Sequence, residues 1–361
     1  MKKFVGLFLA TLMVLSLAAG CAAPAAEQPA PAATEAPAAA TQAPAVEAPQ
    51  VDANVEGKTI AFCYQDLETE FWVAGHAAIT QALQAQGCEV LEYNANEDAN
   101  KQLEQVRDAI AAGADGIIII PQDGESAVTI AKECNRSGVP IGIFNRPPSD
   151  DSAKNLVIVA DNKTIAEACV DYMVSEAQKK FDATGEKITP LIMVGNLGDP
   201  NAVYRKEGFY AAVEKAPDIF NDVIEVDTKW DADTALTNLT AAMQANPDVD
   251  FLFTSSDFLF PVIKSVLEPM GKWKKVGEEG HVIMGGLDGD AGAGALIDEG
   301  YVDGTGVQDV YYEAYTLLDA LLKAIASGET EPDEWLYDPG FALTQGNLAE
   351  RHDDMWGNKL R

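Results

Sequence analysis

Apolar and polar positions alternate in a regular way along most of the chain. Apolar runs occur at 59–64, 89–93, 116–120, 140–145, 156–160, 190–195, 223–226, 251–254 and 282–287. The run 117–120 is apolar at every position, which is typical of a parallel strand covered on both faces. Between the runs, stretches such as 71–86 and 102–112 have helical spacing, and Gly87 and Gly113 follow as helix-ending residues. The pattern predicts nine strands that alternate with helices.

The spacing of these runs predicts the fold class. Most successive runs begin roughly 24–33 residues apart, which is the length of a strand–helix–strand unit. Two consecutive series of such units predict two doubly wound α/β domains with parallel sheets. Ligands of such sheets bind beyond the carboxyl ends of the strands, so the residues that follow each apolar run are the candidate site.

The first 20 residues have the pattern of an export signal. Lys2 and Lys3 precede an uncharged apolar run at 4–17, and small residues lead to Cys21. The run is short for a membrane span and typical of a secretory signal. It resembles the lipobox of bacterial lipoproteins, although Ala18 stands where a large aliphatic residue is usual. We expect residues 1–20 to be a signal peptide and Cys21 to be lipidated; the alternative is ordinary cleavage that leaves Cys21 as a free thiol.

Residues 21–57 have a composition that differs from the rest of the chain. They are rich in Ala and Pro and contain no aromatic residue. Such a segment cannot bury enough apolar surface to fold. With several prolines it favours an extended chain, whose reach is on the order of 100 Å. We interpret it as a tether between a lipid on Cys21 and a folded domain.

Charge and cysteine content exclude several classes of function. The formal net charge of −32 argues against nucleic acid and against electrostatic docking on an anionic bilayer. The five cysteines show no CxxC spacing, which argues against a zinc or iron–sulfur site, and we expect no metal. No glycine-rich nucleotide motif opens any helix, so we expect no cofactor. We expect the four cysteines other than Cys21 to be buried thiols, with disulfides between them as the alternative. These four are Cys63, Cys88, Cys134 and Cys169.

The residues that follow the apolar runs share one kind of chemistry. They carry amide, carboxylate and guanidinium groups, which engage adjacent hydroxyls, and aromatic rings, which cover apolar C–H faces. This combination suits a sugar or a polyol. The candidates from this rule are Gln65, Asp66, Thr69, Phe71, Trp72, Asn145, Arg146, Arg205, Trp230, Ser256, Asp257, Asp288 and Gln308.

Several motifs between residues 58 and 340 also follow one another in a recognisable order. They are TIAF at 59–62 with Phe71-Trp72, ADGIII at 114–119, GVPI at 138–141, Asn145-Arg146, RKEGF at 205–209, PDV at 247–249 and GLDG at 286–289. In this order they resemble the ribose/galactose type of periplasmic binding protein, the type I family that serves sugar ABC importers. The resemblance covers most of the chain that we expect to fold.

The resemblance implies two Rossmann-like lobes joined by three chain passes. The N-terminal lobe comprises 58–160 plus 309–340, and the C-terminal lobe comprises 161–308 plus 341–361. The passes lie near 160–161, 308–309 and 340–341, and the lobes close on ligand as on a hinge. The implied partners are an ABC permease and its ATPase. We expect an exported monomer, anchored by its lipid to the outer face of the cytoplasmic membrane or held in the periplasm.

The resemblance also implies a set of ligand-binding residues. Ser256 stands where the family commonly has Asn, and Gln65 and Thr69 differ from the pentose-type pattern, so the implied ligand is a pentose, a hexose or a polyol. The implied ligand-binding residues are Gln65, Thr69, Phe71, Trp72, Asn145, Arg146, Arg205, Trp230, Ser256, Asp288 and Gln308.

Simpler structural roles stay open for several of these residues. Phe71 suits a core position at a helix start, Asn145-Arg146 a solvated loop, and Arg205 a local ion pair with Glu207. Trp230 with Asp231 suits a capping turn, and Asp288 before Gly289 suits a plain turn. For Asp257 we favour a cap on the following helix over ligand contact.

Three other functions compete with solute import. An enzyme is poorly supported, because the chain has three histidines and no recognisable nucleophile motif. A sugar-responsive transcription regulator would need a helix-turn-helix and a basic face, and the N-terminal sequence has neither. A receptor that binds a non-sugar ligand or an autoinducer, and reports to a sensor kinase or chemoreceptor, stays open as the alternative.

Overall fold

A computed structural model of the chain describes residues 54–361. The predicted signal peptide, the lipidation at Cys21 and nearly all of the tether lie outside these residues. Residues 54–361 belong to one compact unit. Within this part of the chain, no helix combines the length and apolar character that crossing a membrane requires.

Twelve strands occur among the described residues, and the nine predicted apolar runs all form strands. The three further strands, β10 to β12, follow residue 300. The strands are β1 (Thr59–Tyr64), β2 (Glu89–Asn94), β3 (Gly116–Ile119), β4 (Ile141–Phe144), β5 (Leu156–Ala160), β6 (Pro190–Val194), β7 (Ile224–Asp227), β8 (Phe251–Thr254), β9 (Ile283–Asp288), β10 (Gly304–Val307), β11 (Glu334–Asp338) and β12 (Phe341–Thr344).

The strands form two six-stranded sheets. The first sheet has the order β11-β5-β4-β3-β1-β2 and is parallel throughout. The second has the order β12-β10-β9-β8-β6-β7 and is parallel except for β12, which pairs antiparallel with β10. We call the part built on the first sheet the first lobe and the part built on the second sheet the second lobe. The prediction of two doubly wound α/β domains is confirmed, with one antiparallel edge strand as the departure.

Helices cover both sheets. Aspartate side chains cap the N-termini of α2 to α6, α8 and α9, which accounts for part of the acidic excess. The helices are α1 (Glu70–Ala85), α2 (Ala99–Ala111), α3 (Gly124–Ser137), α4 (Asn162–Thr184), α5 (Pro200–Val213), α6 (Ala232–Ala245), α7 (Phe260–Leu267), α8 (Ala291–Asp298), α9 (Val310–Ser327) and α10 (Leu348–Arg351).

The chain passes between the two sheets three times. It leaves the first sheet after β5 and enters α4, which packs on β9, β10 and β12. It returns after β10 into α9, which packs on β4 and β5, and it passes again from β11 to β12. Because β10 leaves the second sheet at the edge where β12 enters it, β12 runs antiparallel to β10.

One residue, Asp338, contacts all three passes. Its main-chain oxygen accepts a hydrogen bond from the amide of Asp161 at 2.9 Å. Its carboxylate accepts from the amides of Asp309 at 2.6 Å and Gly340 at 2.9 Å. Burial raises the pKa of Asp338 to about 6. The three passes are therefore joined through one residue, by its main-chain oxygen and its carboxylate.

The four cysteines in the described part of the chain are free and buried, which confirms their interpretation as buried thiols. Burial raises the pKa of Cys63 to about 12, and it also raises the pKa of Cys134 and of Cys169. These thiols are therefore protonated at neutral pH.

Candidate ligand-binding site

A cavity of about 340 Å³ lies where the carboxyl ends of the two sheets face each other. Its volume suits a small molecule. All eleven residues implied by the family resemblance line it, and so does the strand-end candidate Asp66. The cavity is also lined by residues that the sequence did not predict to bind ligand: Glu68, Glu97, Asp199, Asn201, Asp231, Ala232, Asp233 and Phe258.

Strained backbone concentrates at this cavity. Six non-glycine residues in the described part of the chain have a positive φ, and four of them line the cavity. Such conformations cost of order 1–3 kcal/mol each and persist where the surrounding structure holds them. The four residues are Glu97 (φ 60), Asn145 (φ 66), Trp230 (φ 61) and Asp288 (φ 145).

Arg146 dominates the side of the cavity that the first lobe provides. Its guanidinium carbon lies 5.3 Å from the centre of the Trp72 ring. Its NH1 donates to Gln65 Oε1 and to the main-chain carbonyls of residues 121–122, at 3.2 and 3.0 Å. Its Nε lies 2.9 Å from Oδ2 of Asp199, which belongs to the second lobe. The one carboxylate paired with Arg146 therefore comes from the opposite lobe.

Arg205 dominates the side that the second lobe provides. Its guanidinium carbon lies 5.7 Å from the centre of the Trp230 ring. Its NH1 donates to Asp288 Oδ1 at 2.9 Å and to the carbonyl of Ser255 at 2.7 Å, and its Nε donates to Asn162 Oδ1 at 2.6 Å. Since Asp288 ends β9 of the second sheet, Arg205 and its carboxylate belong to the same lobe.

Asp288 is the centre of the polar contacts in the second lobe. Its Oδ1 accepts from Gln308 Nε2 at 2.9 Å as well as from Arg205, and Ser256 Oγ donates to its Oδ2. Its main-chain oxygen accepts from Trp356 Nε1 at 2.9 Å. Burial raises the pKa of Asp288, while Arg205 and Ser256 oppose that rise. The carboxylate is therefore buried but satisfied by three side-chain donors and by the amide of Asp257.

Asn145 links the lobes through hydrogen bonds. Its Nδ2 donates to Gln308 Oε1 at 3.0 Å and to Glu313 Oε2 at 2.9 Å. Its Oδ1 and main-chain oxygen accept from Asn201 Nδ2 of the second lobe, at 3.1 and 3.0 Å. Burial raises the pKa of Glu313, which lies beneath the cavity, well above its ordinary value, while the hydrogen bond from Asn145 opposes that rise.

Phe71 is both a core residue and a cavity residue. It is 5 % exposed, and its ring packs 5.1 Å from that of Trp72, 6.4 Å from Phe144 and 6.0 Å from Trp356. Thr69 caps α1 by accepting from the amide of Trp72 at 3.3 Å. The start of α1 thus presents two aromatic rings to the cavity from a fixed backbone.

The structure rules out two of the simpler roles that the sequence left open, the solvated loop at Asn145-Arg146 and the local ion pair of Arg205. Asn145 and Arg146 are 2 % and 6 % exposed, so they do not form a solvated loop. The suggested pair of Arg205 with Glu207 is not formed, because Glu207 points to Lys163 at 3.5 Å while Arg205 turns inward to the buried acid.

Asp257 does not cap a helix, contrary to our expectation. Helix α7 begins without a side-chain cap. The Asp257 carboxylate instead accepts from the amide of Gly289 at 2.7 Å and from Thr305 Oγ1 at 2.8 Å. Asp231, in contrast, does cap α6, while the neighbouring Trp230 ring lines the cavity. The turn at Trp230-Asp231 therefore both caps helix α6 and contributes to the cavity.

Trp230 reaches the cavity because residue 195 is a glycine. A Cβ at Gly195 would collide with the Trp230 indole ring. The indole Nε1 donates to Asp199 Oδ2 at 3.2 Å, so the same carboxylate contacts both Trp230 and Arg146. Asp199 and Asn201 follow β6, and the strand-end rule applied to β6 would have found them.

Residues 60–330 match the periplasmic binding protein domain family. The D-apiose import binding protein of Actinobacillus succinogenes is 22 % identical over 276 residues, which cover 76 % of this chain and 84 % of that protein. The ribose import binding protein of Bacillus subtilis is 25 % identical over 264 residues, which cover 72 % of this chain and 79 % of that protein.

A solved structure shares the fold. The ABC transporter solute-binding protein of Bacillus halodurans C-125, solved with bound myo-inositol, has a TM-score of 0.69 and 24 % identity. The alignment covers 83 % of this chain and 98 % of that one. With the family match extending over most of the sequence, the chain belongs to the periplasmic binding protein domain family, whose members bind solutes and are not enzymes.

Proposed function

We propose that this protein binds a pentose, a hexose or a polyol in its cavity and delivers it to the permease and ATPase of an ABC importer. The observation that carries the proposal is the pair of arginine–tryptophan stacks, each with a buried aspartate, that face one cavity from opposite lobes. The ring faces suit the apolar side of a sugar, and the charged groups suit its hydroxyls.

The relatives support the same class of ligand. The two relatives are binding proteins for D-apiose and ribose, and the solved structure contains myo-inositol; all three compounds are small and polyhydroxylated. A cavity of about 340 Å³ has room for one such ring. Buried amides and carboxylates discriminate between hydroxyl patterns, because a missing hydroxyl leaves a polar group unpaired.

Ligand capture works by hinge closure in this proposal. The lobe boundaries that we propose are 58–160 plus 309–340 and 161–308 plus 341–361. The Arg146–Asp199 and Asn145–Asn201 contacts join opposite lobes, so they form only when the lobes approach. A ligand that touches both sides stabilises the closed arrangement and shifts the population toward it.

The family implies an extracytoplasmic location. We further propose that residues 1–20 are a signal peptide, that Cys21 carries the lipid, and that the Pro/Ala-rich segment to residue 57 tethers a monomeric binding domain to the membrane. The anchor is then the one contact with the bilayer. Mass spectrometry of the exported chain tests this, because lipidation adds diacylglyceryl mass at Cys21, and Cys21→Ser removes it.

A thermal-shift panel of pentoses, hexoses, deoxy sugars and polyols tests the ligand class. A ligand at a hundred times its dissociation constant stabilises the folded chain by ~2.7 kcal/mol. We expect at least one panel member to raise the melting temperature, and Trp230→Ala to abolish that rise. Trp335→Ala, on exposed strand β11 outside the cavity, is the matched control and keeps it. A panel without any shift contradicts the proposal.

A further inference from the structure

The two lobes also meet outside the cavity, where the start of α1 faces the start of α8. Glu70 is the first residue of α1 in the first lobe, and its Oε2 accepts a hydrogen bond from the main-chain amide of Ala291 at 3.1 Å. Ala291 is the first residue of α8 in the second lobe. A side chain of one lobe therefore satisfies a helix-start amide of the other, which is possible only when the lobes are together.

The C-terminal turn Trp356–Leu360 contributes an aromatic ring to this meeting point. The Trp356 side chain has no solvent-exposed surface. Its Nε1 donates to the main-chain oxygen of Asp288 at 2.9 Å, which attaches the ring to the second lobe. The ring packs edge to face with Phe71 of α1 at 6.0 Å and with Tyr311 of α9 at 6.5 Å, both in the first lobe. One buried indole thus contacts both lobes.

The hydrogen bond and the aromatic packing are neighbours in space. A Cβ at position 357 would lie 2.4 Å from the main-chain nitrogen of Ala291, so the C-terminal turn packs directly on the start of α8. The first two residues of α1 contact these two segments of the second lobe. We call this set the α1–α8 contact: Glu70, Phe71, Ala291 and Trp356.

The α1–α8 contact lies directly behind two residues of the cavity wall. Phe71 lines the cavity from the first lobe, and Asp288 lines it from the second. Trp356 does not line the cavity, but it packs on the Phe71 ring and donates to the Asp288 carbonyl. The φ of 145 at Asp288 is a conformation that persists where the surrounding structure holds it. The indole therefore supports one cavity residue from each lobe.

A contact that forms only between closed lobes contributes free energy to the closed state alone. It adds nothing to the open state, so it shifts the population toward closure and raises the affinity for a ligand that closes the lobes. Release of such a ligand requires the lobes to part, and parting breaks the α1–α8 contact. Capture starts from the open state, in which the contact is absent, so the contact affects the rate of release far more than the rate of capture.

We propose that Glu70 and Trp356 are positioning residues for ligand retention, which join the lobes behind the cavity and slow the release of a sugar or polyol that neither of them touches. This inference rests on the proposed function, because retention requires a ligand and two lobes that close on it. Asp199 and Asn201 also join the lobes, but they do so from the cavity wall itself.

Glu70→Ala tests the hydrogen bond of the contact on the full chain. The probe is the member of the thermal-shift panel with the lowest dissociation constant, and the panel includes ribose, D-apiose and myo-inositol. Stopped-flow tryptophan fluorescence gives both rate constants, because Trp72 and Trp230 line the cavity. We expect the dissociation rate constant to rise about tenfold, while the association rate constant changes by less than about twofold.

Two further variants show whether the acceptor oxygen causes this effect. Glu70→Gln removes the charge but keeps an acceptor oxygen for the Ala291 amide, so we expect a dissociation rate constant within about threefold of that of the original chain. A role of Glu70 that depended on its charge at the start of α1 would not be rescued in this way. Glu104→Ala, at an exposed acid on α2, is the control and leaves both rate constants unchanged.

Trp356→Phe tests the aromatic part of the contact. It keeps a ring against Phe71 and removes the donor to the Asp288 carbonyl, and we expect dissociation to be about tenfold faster. Because Trp356 is buried, the rates are measured under conditions where circular dichroism shows the variant to be folded. Residues that act through one contact give non-additive effects, so the double variant with Glu70→Ala should release the probe more slowly than the product of the two single effects predicts.

The outcomes separate this inference from the proposed function. If a panel member binds and Glu70→Ala releases it at the original rate, the α1–α8 contact does not retain ligand; the inference is overturned and sugar binding stands. Equal release from Glu70→Gln and Glu70→Ala, or single effects that multiply in the double variant, would also overturn it. If no panel member binds the original chain, the proposed function itself fails, and the inference fails with it.

Discussion

The two sides of the cavity have the same parts but obtain them differently. In each, an arginine stacks on a tryptophan and pairs with a buried aspartate at 2.9 Å. Arg205 takes its aspartate from its own lobe. Arg146 takes Asp199 from the opposite lobe, and within its own lobe it has only neutral acceptors.

This difference separates a permanent ion pair from a conditional one. The Arg205–Asp288 pair exists whether the lobes are apart or together, so it belongs to the folding of the second lobe. The Arg146–Asp199 pair needs both lobes in contact, so it belongs to closure. Variants of the two aspartates therefore affect different free energies, the first mainly that of unfolding and the second mainly that of ligand binding.

The largest effect is expected for Asp288→Asn. Asparagine has nearly the same shape as aspartate, but it leaves the Arg205 guanidinium buried without a counter-charge. Loss of one partner of a buried pair costs about 3–5 kcal/mol. We expect a lower urea midpoint without ligand and no ligand-induced stabilisation. Asp108→Asn, on the exposed face of α2, is the control; an unchanged midpoint for Asp288→Asn contradicts a permanent pair.

A smaller and more selective effect is expected for Asp199→Asn. The variant still accepts from the amide of Asn201, so the start of α5 keeps its cap. It removes the one carboxylate that pairs with Arg146, and because that pair joins opposite lobes, its loss destabilises only the closed arrangement. We expect affinity for the best panel ligand to fall about tenfold to a hundredfold, or ~1.4–2.7 kcal/mol. The urea midpoint of the free protein should stay within error; a drop as large as that of Asp288→Asn would show that the two pairs are alike.

The smallest effect is the change of stability with pH that the buried acids Asp290 and Asp257, next to the Arg205–Asp288 pair, produce. Burial raises the pKa of Asp290 to about 7, and burial also raises that of Asp257 well above its ordinary value. The folded chain thus takes up protons that the unfolded chain does not, and its stability increases as pH falls from about 7.5 toward 5. We expect a gain of about 1–2 kcal/mol, measured by urea unfolding.

Asp290→Asn is the matched variant for this pH effect. Asparagine is as good an N-cap as aspartate, so α8 keeps its first hydrogen bond while the titrating group is removed. The variant should show a shallower rise in stability toward pH 5. A rise as steep as in the original chain would mean that other groups take up the protons.

The sequence predicts the nine strands that contain an apolar run and misses the three that follow residue 300. Most of β1 to β9 are buried, although the edge strands β2 and β7 are partly exposed. β10 has the sequence GTGV, in which two glycines interrupt any run, and β11 has the sequence EWLYD and lies at an exposed sheet edge. Their places are fixed by pairing with neighbours rather than by their own side chains.

The residues of the candidate site likewise fall into those that the sequence predicted and those that it missed. Residues directly after an apolar run, such as Asn145 and Trp230, were found because parallel strands place their carboxyl ends at one edge. Asp199 and Asn201 also follow β6, but they were missed because their importance comes from contacts with Arg146 and Asn145 of the opposite lobe, which the sequence does not show. Glu313 was missed because nothing in a helical sequence shows that a glutamate is buried beneath Asn145.

The most direct test is a crystal structure of the full chain with the best ligand from the panel. The account predicts a single ring in the cavity, in contact with both Trp72 and Trp230, with hydroxyls in hydrogen-bond reach of Asp288 and Asn145 and with the Arg146–Asp199 pair formed. A ligand bound outside this cavity, or a ring that contacts one lobe alone while the lobes stay apart, would contradict it.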